Sequence, residues 1–132
     1  MSALRRILYW EAGLLVAFTA LAEAFPRPVL EDLFGQAHQP DLAWVRIAGV
    51  QALGIAMLMV LIAQRVDELW WFSWAFVAVS AGLATVTALN AAFGVPDGSS
   101  ALFWWLMTAG EVAFTAALLW GMSLAGNERP VD

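Results

Sequence analysis

The chain has no cysteine and no lysine, one histidine (His38), and only 13% charged residues. Each shortage excludes something. Without cysteine there are no disulfides, thiol nucleophiles, iron–sulfur clusters or cysteine zinc sites. One histidine rules out a haem held by two histidines of one chain, and any multi-histidine metal site. All six basic residues are arginine and the net charge is −5, so no basic face exists for nucleic acid. Arginine without lysine points to a GC-rich bacterial genome. A soluble domain carries about 25% charged residues. A chain with roughly half that share and 62% hydrophobic residues would expose large sticky patches in water, so its natural solvent is lipid. Its 132 residues are enough for one domain.

Four apolar segments follow, approximately 7–24, 42–63, 69–92 and 101–125, each near the ~20 residues that cross ~30 Å of hydrocarbon. The five prolines (Pro26, Pro28, Pro40, Pro96, Pro130) fall between or after them. Proline breaks the helical hydrogen-bond ladder, so its placement predicts four uninterrupted helices. Arg5 and Arg6 before an apolar run imitate a signal peptide, but Trp10 and Glu11 interrupt that run early, and retention as a first spanning helix is expected. Gln64-Arg65-Val66-Asp67-Glu68 reads as a tight charged turn that makes the second and third helices antiparallel neighbours. Pro96-Asp97-Gly98 is a second turn, with Ser99 or Ser100 to cap the fourth helix. Pro28 to Gly35 reads as a short interfacial helix with Val29, Leu30, Leu33 and Phe34 on one face.

Arginine counts set an expected orientation. Arg5, Arg6, Arg65 and Arg129 fall on one side; Arg27 and Arg46 fall on the other. The first side is expected to be cytoplasmic, with both termini on it, in a bacterial inner membrane. Trp10, Trp70, Trp71, Trp74 and Trp120 near one set of ends, and Trp44, Trp104 and Trp105 near the other, form two interfacial belts.

Charge inside the membrane marks the candidate site. Glu111 falls ~14 Å into the fourth segment at 1.5 Å per residue, near mid-membrane, where a carboxylate must face the interior, pair with a cation or be protonated. Arg46 is the expected partner and Gln51 a hydrogen-bond donor at similar depth. Helical spacing adds Thr108 and Thr115 beside Glu111, the repeat Ser73, Ser80 and Thr87 on the third segment, then Asn90, with Glu23 ending the first. The expected cluster is therefore Arg46, Gln51, Thr87, Asn90, Thr108 and Glu111. It reads as a structural ion pair that fixes register, an outward pocket for a small polar or lipid-like ligand, or a proton path. Glu11 is expected to snorkel or to meet Arg65, and His38 to be solvated. Opposite Glu111, the small residues Ala109, Ala113, Ala117 and Gly121 form a face for helix packing or for a partner.

The pattern Val45-Arg46-Ile47-Ala48-Gly49 followed by Ala52-Leu53-Gly54 opens the second segment. The Pro96 turn leads to a helix with Glu111-Val112-Ala113 and a leucine-rich end. These two short motifs, and the topology of most of the chain, resemble small DoxX-like four-helix bacterial membrane proteins. The resemblance implies an up-down-up-down bundle. Some DoxX-like proteins are subunits of quinone-linked oxidoreductases; the lack of cysteine removes thiol-based versions of that chemistry here.

The expectation is an all-α antiparallel bundle of four transmembrane helices in a single domain over residues 1–132. No catalytic set and no metal site stand out. The leading functional expectation is a non-enzymatic accessory subunit that binds membrane lipids, a second copy or a larger membrane complex. The alternatives are a quinone-linked oxidoreductase subunit, with quinone or lipid as the bound group, and an oligomeric small transporter or channel.

Overall fold

The computed structural model describes residues 1–128; Arg129 and Pro130, which entered the arginine and proline arguments, lie outside the described residues. Four helices are long and apolar enough to cross a membrane: α1 (Ser2–Ala24), α2 (Ala43–Gln64), α3 (Val66–Gly94) and α4 (Leu102–Asn127). Their lengths of 22 to 29 residues exceed what ~30 Å of hydrocarbon requires at 1.5 Å per residue. The chain is a small multi-pass helical bundle. Among the described residues every proline lies outside these helices. α3 is irregular. It starts three residues earlier than expected, passes a 3₁₀ turn at Trp70–Phe72, and ends in a π turn at Asn90–Gly94.

α1 is the hub. Its buried residues Leu4, Leu8, Glu11, Ala12, Thr19 and Ala22 recur at the spacing of three and four that makes one helix face. Leu4 and Leu8 meet Ala56, Met59 and Ile62 of α2, Phe76 of α3, and Leu118 and Met122 of α4 in one core. Lipid removes the hydrophobic drive between helices, so close packing carries their association. Glycine permits that closeness at two points on α1. A Cβ on Gly49 would lie 3.2 Å from Ala22 Cβ, and one on Gly121 would lie 2.8 Å from Ile7 Cδ1 and 3.2 Å from the Leu4 Cα. The Thr19 hydroxyl reaches the Gly49 carbonyl at 2.8 Å, tying α1 to α2 where they are closest.

The turn at 64–68 does not make α2 and α3 close neighbours along their length. The extensive helix pairs are α1 with α2 and α3 with α4, joined by α1 with α4; the α2 and α3 backbones meet mainly around the turn. Large side chains keep them apart. Ile55 and Met59 on α2 face Phe76, Val79 and Leu83 on α3 across a small void.

The end opposite the termini is closed by the 25–42 connection. Pro28–Leu33 is a π-helix rather than an α-turn. Leu30 is buried with Ala22 and Val45, and Phe34 packs edge-on against Phe103 at 5.2 Å. The wider π turn takes Leu33 off this face and leaves it 69% exposed, against expectation. Gly35 turns the chain at φ +61°. Gln36 then donates to the Ser100 carbonyl at 2.6 Å and accepts from the Trp104 indole at 3.0 Å, which locks the two connections together.

Candidate functional site

Glu11 follows Leu8 by three residues and precedes Leu15 by four, so α1 carries it on the core face. Glu111 precedes Leu118 by seven, on the core face of α4. The two acids are 2% and 7% exposed. The Glu11 carboxyl lies close enough to Glu111 to feel its charge. Ser80 of α3 lies across a small void from Glu111. Ser73, two turns before Ser80, is fully buried, and among the described residues neither its hydroxyl nor either oxygen of Glu11 has a hydrogen-bond partner. Among the described residues no arginine or histidine pairs with either acid, and no group of three or more metal-ligating side chains forms. A void of about 30 Å³ sits against Glu111 and Ser80, with Leu15, Met59 and Phe76 among its apolar walls. A space of that size holds about one water.

The structure divides the cluster expected from the sequence. Thr87 and Thr108 come together: the Thr108 hydroxyl donates to Thr87 at 2.9 Å, and Thr87 donates to the Leu83 carbonyl at 2.8 Å. Ser73, Ser80 and Thr87 are buried along the whole seven-residue repeat. Asn90 is half-buried in the π turn of α3, and Thr115 donates to the Glu111 backbone carbonyl at 2.8 Å. Arg46 and Gln51 are exposed, and the Arg46–Glu111 ion pair is not formed. The cause is the rotation of α2, which turns Val45, Gly49, Ala52 and Ala56 inward and leaves Arg46 and Gln51 outside. Glu23 is exposed, its carboxylate beside Gly49.

Two other expectations change. Glu11 neither snorkels nor meets Arg65; the Leu4–Leu8–Glu11–Leu15 spacing was the signal that aimed it inward. Arg5 holds the turn instead, donating to the Ala63 carbonyl at 3.1 Å and facing Asp67 at 3.4 Å. The small stripe of α4 splits: Gly121 is buried against α1, Ala117 is half-buried, and Ala109 and Ala113 are exposed. His38 is exposed, as its polar loop suggests, and makes a 3.1 Å contact with Glu31. That hydrogen bond holds the Glu31 carboxyl below the usual carboxylate range.

These features define a small multi-pass membrane protein whose interior contains two acids and, among the described residues, no paired cation. Comparison with protein-family models, with curated proteins and with solved structures finds no match to this chain.

Proposed function

We propose that this protein is a non-enzymatic accessory subunit of a bacterial inner membrane, with its termini cytoplasmic, whose Glu11–Glu111 pair binds a proton inside the bundle. The observation that carries the reading is two carboxyls buried on the core faces of α1 and α4, with no cation paired to either and no hydrogen-bond partner for Glu11 among the described residues. A charged carboxylate at the membrane centre costs on the order of 2.5–3.5 kcal/mol on insertion scales, and a second like charge adds repulsion. A proton on the pair removes both costs and needs no space. The void of about 30 Å³ beside Glu111 supports a proton with about one water at that position, since pockets for organic ligands run ~300–1,000 Å³. The orientation rests on Arg5, Arg6 and Arg65, and the accessory role on the exposed helix faces and the DoxX-like resemblance.

Infrared spectroscopy of the protein in liposomes tests the proton. The expected result is a carboxylic-acid carbonyl band at neutral pH that Glu11→Gln and Glu111→Gln each diminish and the double variant abolishes. Wild-type protein without the band, or a band that survives the double variant, overturns the reading. Purification in mild detergent tests the accessory role: a strictly monomeric species with no co-purifying protein or lipid counts against it.

A further inference from the structure

The strongest feature outside the carboxyl seam lies at the end of the bundle away from the termini. A groove of about 640 Å³ opens where α1 gives way to the connection and α2 begins, between Pro26, Arg27, Pro28, Leu42, Arg46 and Ile47. Its volume is within the ~300–1,000 Å³ range of ligand sites. Two arginines from different segments converge on it, and both are exposed. Among the described residues neither forms an ion pair.

Asp41 is the acid among the groove's lining residues, and Glu31 and the exposed Glu23 lie outside that lining. The Asp41 carboxylate accepts the Ala43 amide at 2.8 Å. Arg27 feels the charge of Glu31, whose oxygens are taken by His38 at 3.1 Å and the Gln39 amide at 3.4 Å. The two guanidiniums outnumber the single acid that lines the groove, and among the described residues no ion pair ties up their N–H donors. Guanidinium stays charged at any physiological pH and matches phosphate oxygens with paired N–H donors.

We propose that this groove binds the headgroup phosphate of an anionic phospholipid, clamped between Arg27 and Arg46. The charge pattern selects the class. A zwitterionic headgroup brings a second cation toward two arginines, whereas an anionic one does not. The position selects a lipid rather than free phosphate. Trp44 and Trp105, exposed at the same end, mark the depth where headgroups lie. Ile47, 59% exposed on the next turn of α2, continues the wall toward the hydrocarbon for the first acyl methylenes. Two guanidiniums from different segments give a headgroup phosphate paired donors from both sides, which makes a recognisable clamp. The site is separate from the carboxyl pair, and its test does not depend on that pair.

Native mass spectrometry of the full chain in detergent, titrated separately with phosphatidylglycerol, phosphatidylcholine and inorganic phosphate, tests it. The expected result is preferential retention of phosphatidylglycerol, reduced at least about tenfold in Arg27→Gln/Arg46→Gln and unchanged in Arg6→Gln, an exposed arginine at the opposite end. Circular dichroism of each variant checks the helices. Equal retention of phosphatidylcholine overturns the proposal. So does inorganic phosphate binding as tightly as the lipid, a double variant with undiminished preference, or an equal loss in Arg6→Gln.

Discussion

Glu11 and Glu111 sit in the middle of the bundle with no cation paired to them, while Arg27 and Arg46 sit at one end with no acid paired to them among the described residues. The contrast teaches how a membrane sorts charge. A carboxyl can lose its charge by taking a proton; a guanidinium cannot. The acid is therefore tolerated at depth without a counter-ion, and the arginine belongs where headgroups and water solvate it. Pairing Arg46 with Glu111 would bury a permanent charge to neutralise one that can neutralise itself.

The largest test of this contrast is to part the acids. Gly121→Leu drives a side chain into the Leu4 backbone and the Ile7 tip, pushing α4 off α1. The expected cost is about 1–3 kcal/mol, seen as a lower melting temperature in detergent. Loss of the carboxylic-acid band should accompany it as water reaches Glu11. Wild-type stability in this variant would mean that the close α1–α4 approach does not hold the acids together. Thr108→Val is milder. It removes the hydroxyl bond to Thr87 at 2.9 Å and should cost about 0.6 kcal/mol, the mean for such bonds between membrane helices. The band of the acids should stay unchanged. A shift in that band would show that the threonine pair belongs to the acid site.

Glu31 supplies the smallest effect and the sharpest control, because it is an acid outside the spans that has a partner. His38 lowers its pKa in the folded protein. The folded state therefore favours the carboxylate: this contribution is present above the ordinary carboxylate range and is lost as pH falls through the lowered value. Acid titration should loosen the 25–42 connection. The Trp44 indole, bonded to Gln39 at 2.7 Å, reports that change by fluorescence. Glu31→Gln should remove the acid-side transition, and an unaltered transition in that variant would assign it to another group.

Much of the fold was legible. The four spans and the presence of a short cap helix follow from apolar length, proline placement and glycine, all local signals; the early start at Val66 and the π turn that exposes Leu33 do not. Gly49 could be read as a contact point because small residues are what lipid-embedded helices pack with. The candidate site was legible only as an inventory. Helical spacing puts Thr87, Thr108 and Glu111 on inward faces, whereas depth alone brings Arg46 to them, and the structure leaves Arg46 exposed. Depth along a helix is set by counting residues; direction around it is not.

The sequence by itself determined that this chain carries four apolar segments of membrane-spanning length, approximately where they lie, and that two acids sit within them. Tertiary structure alone decided that Glu11 and Glu111, a hundred positions apart, share one seam, that Arg46 faces outward, and that α1 rather than the 64–68 turn organises the packing. The physical reason is that these helices are apolar nearly all the way round. An amphipathic helix announces which face it buries. A helix solvated by lipid on one side and packed by apolar neighbours on the other does not. Its rotation is chosen only when Gly49 and Gly121 meet α1 and close the bundle.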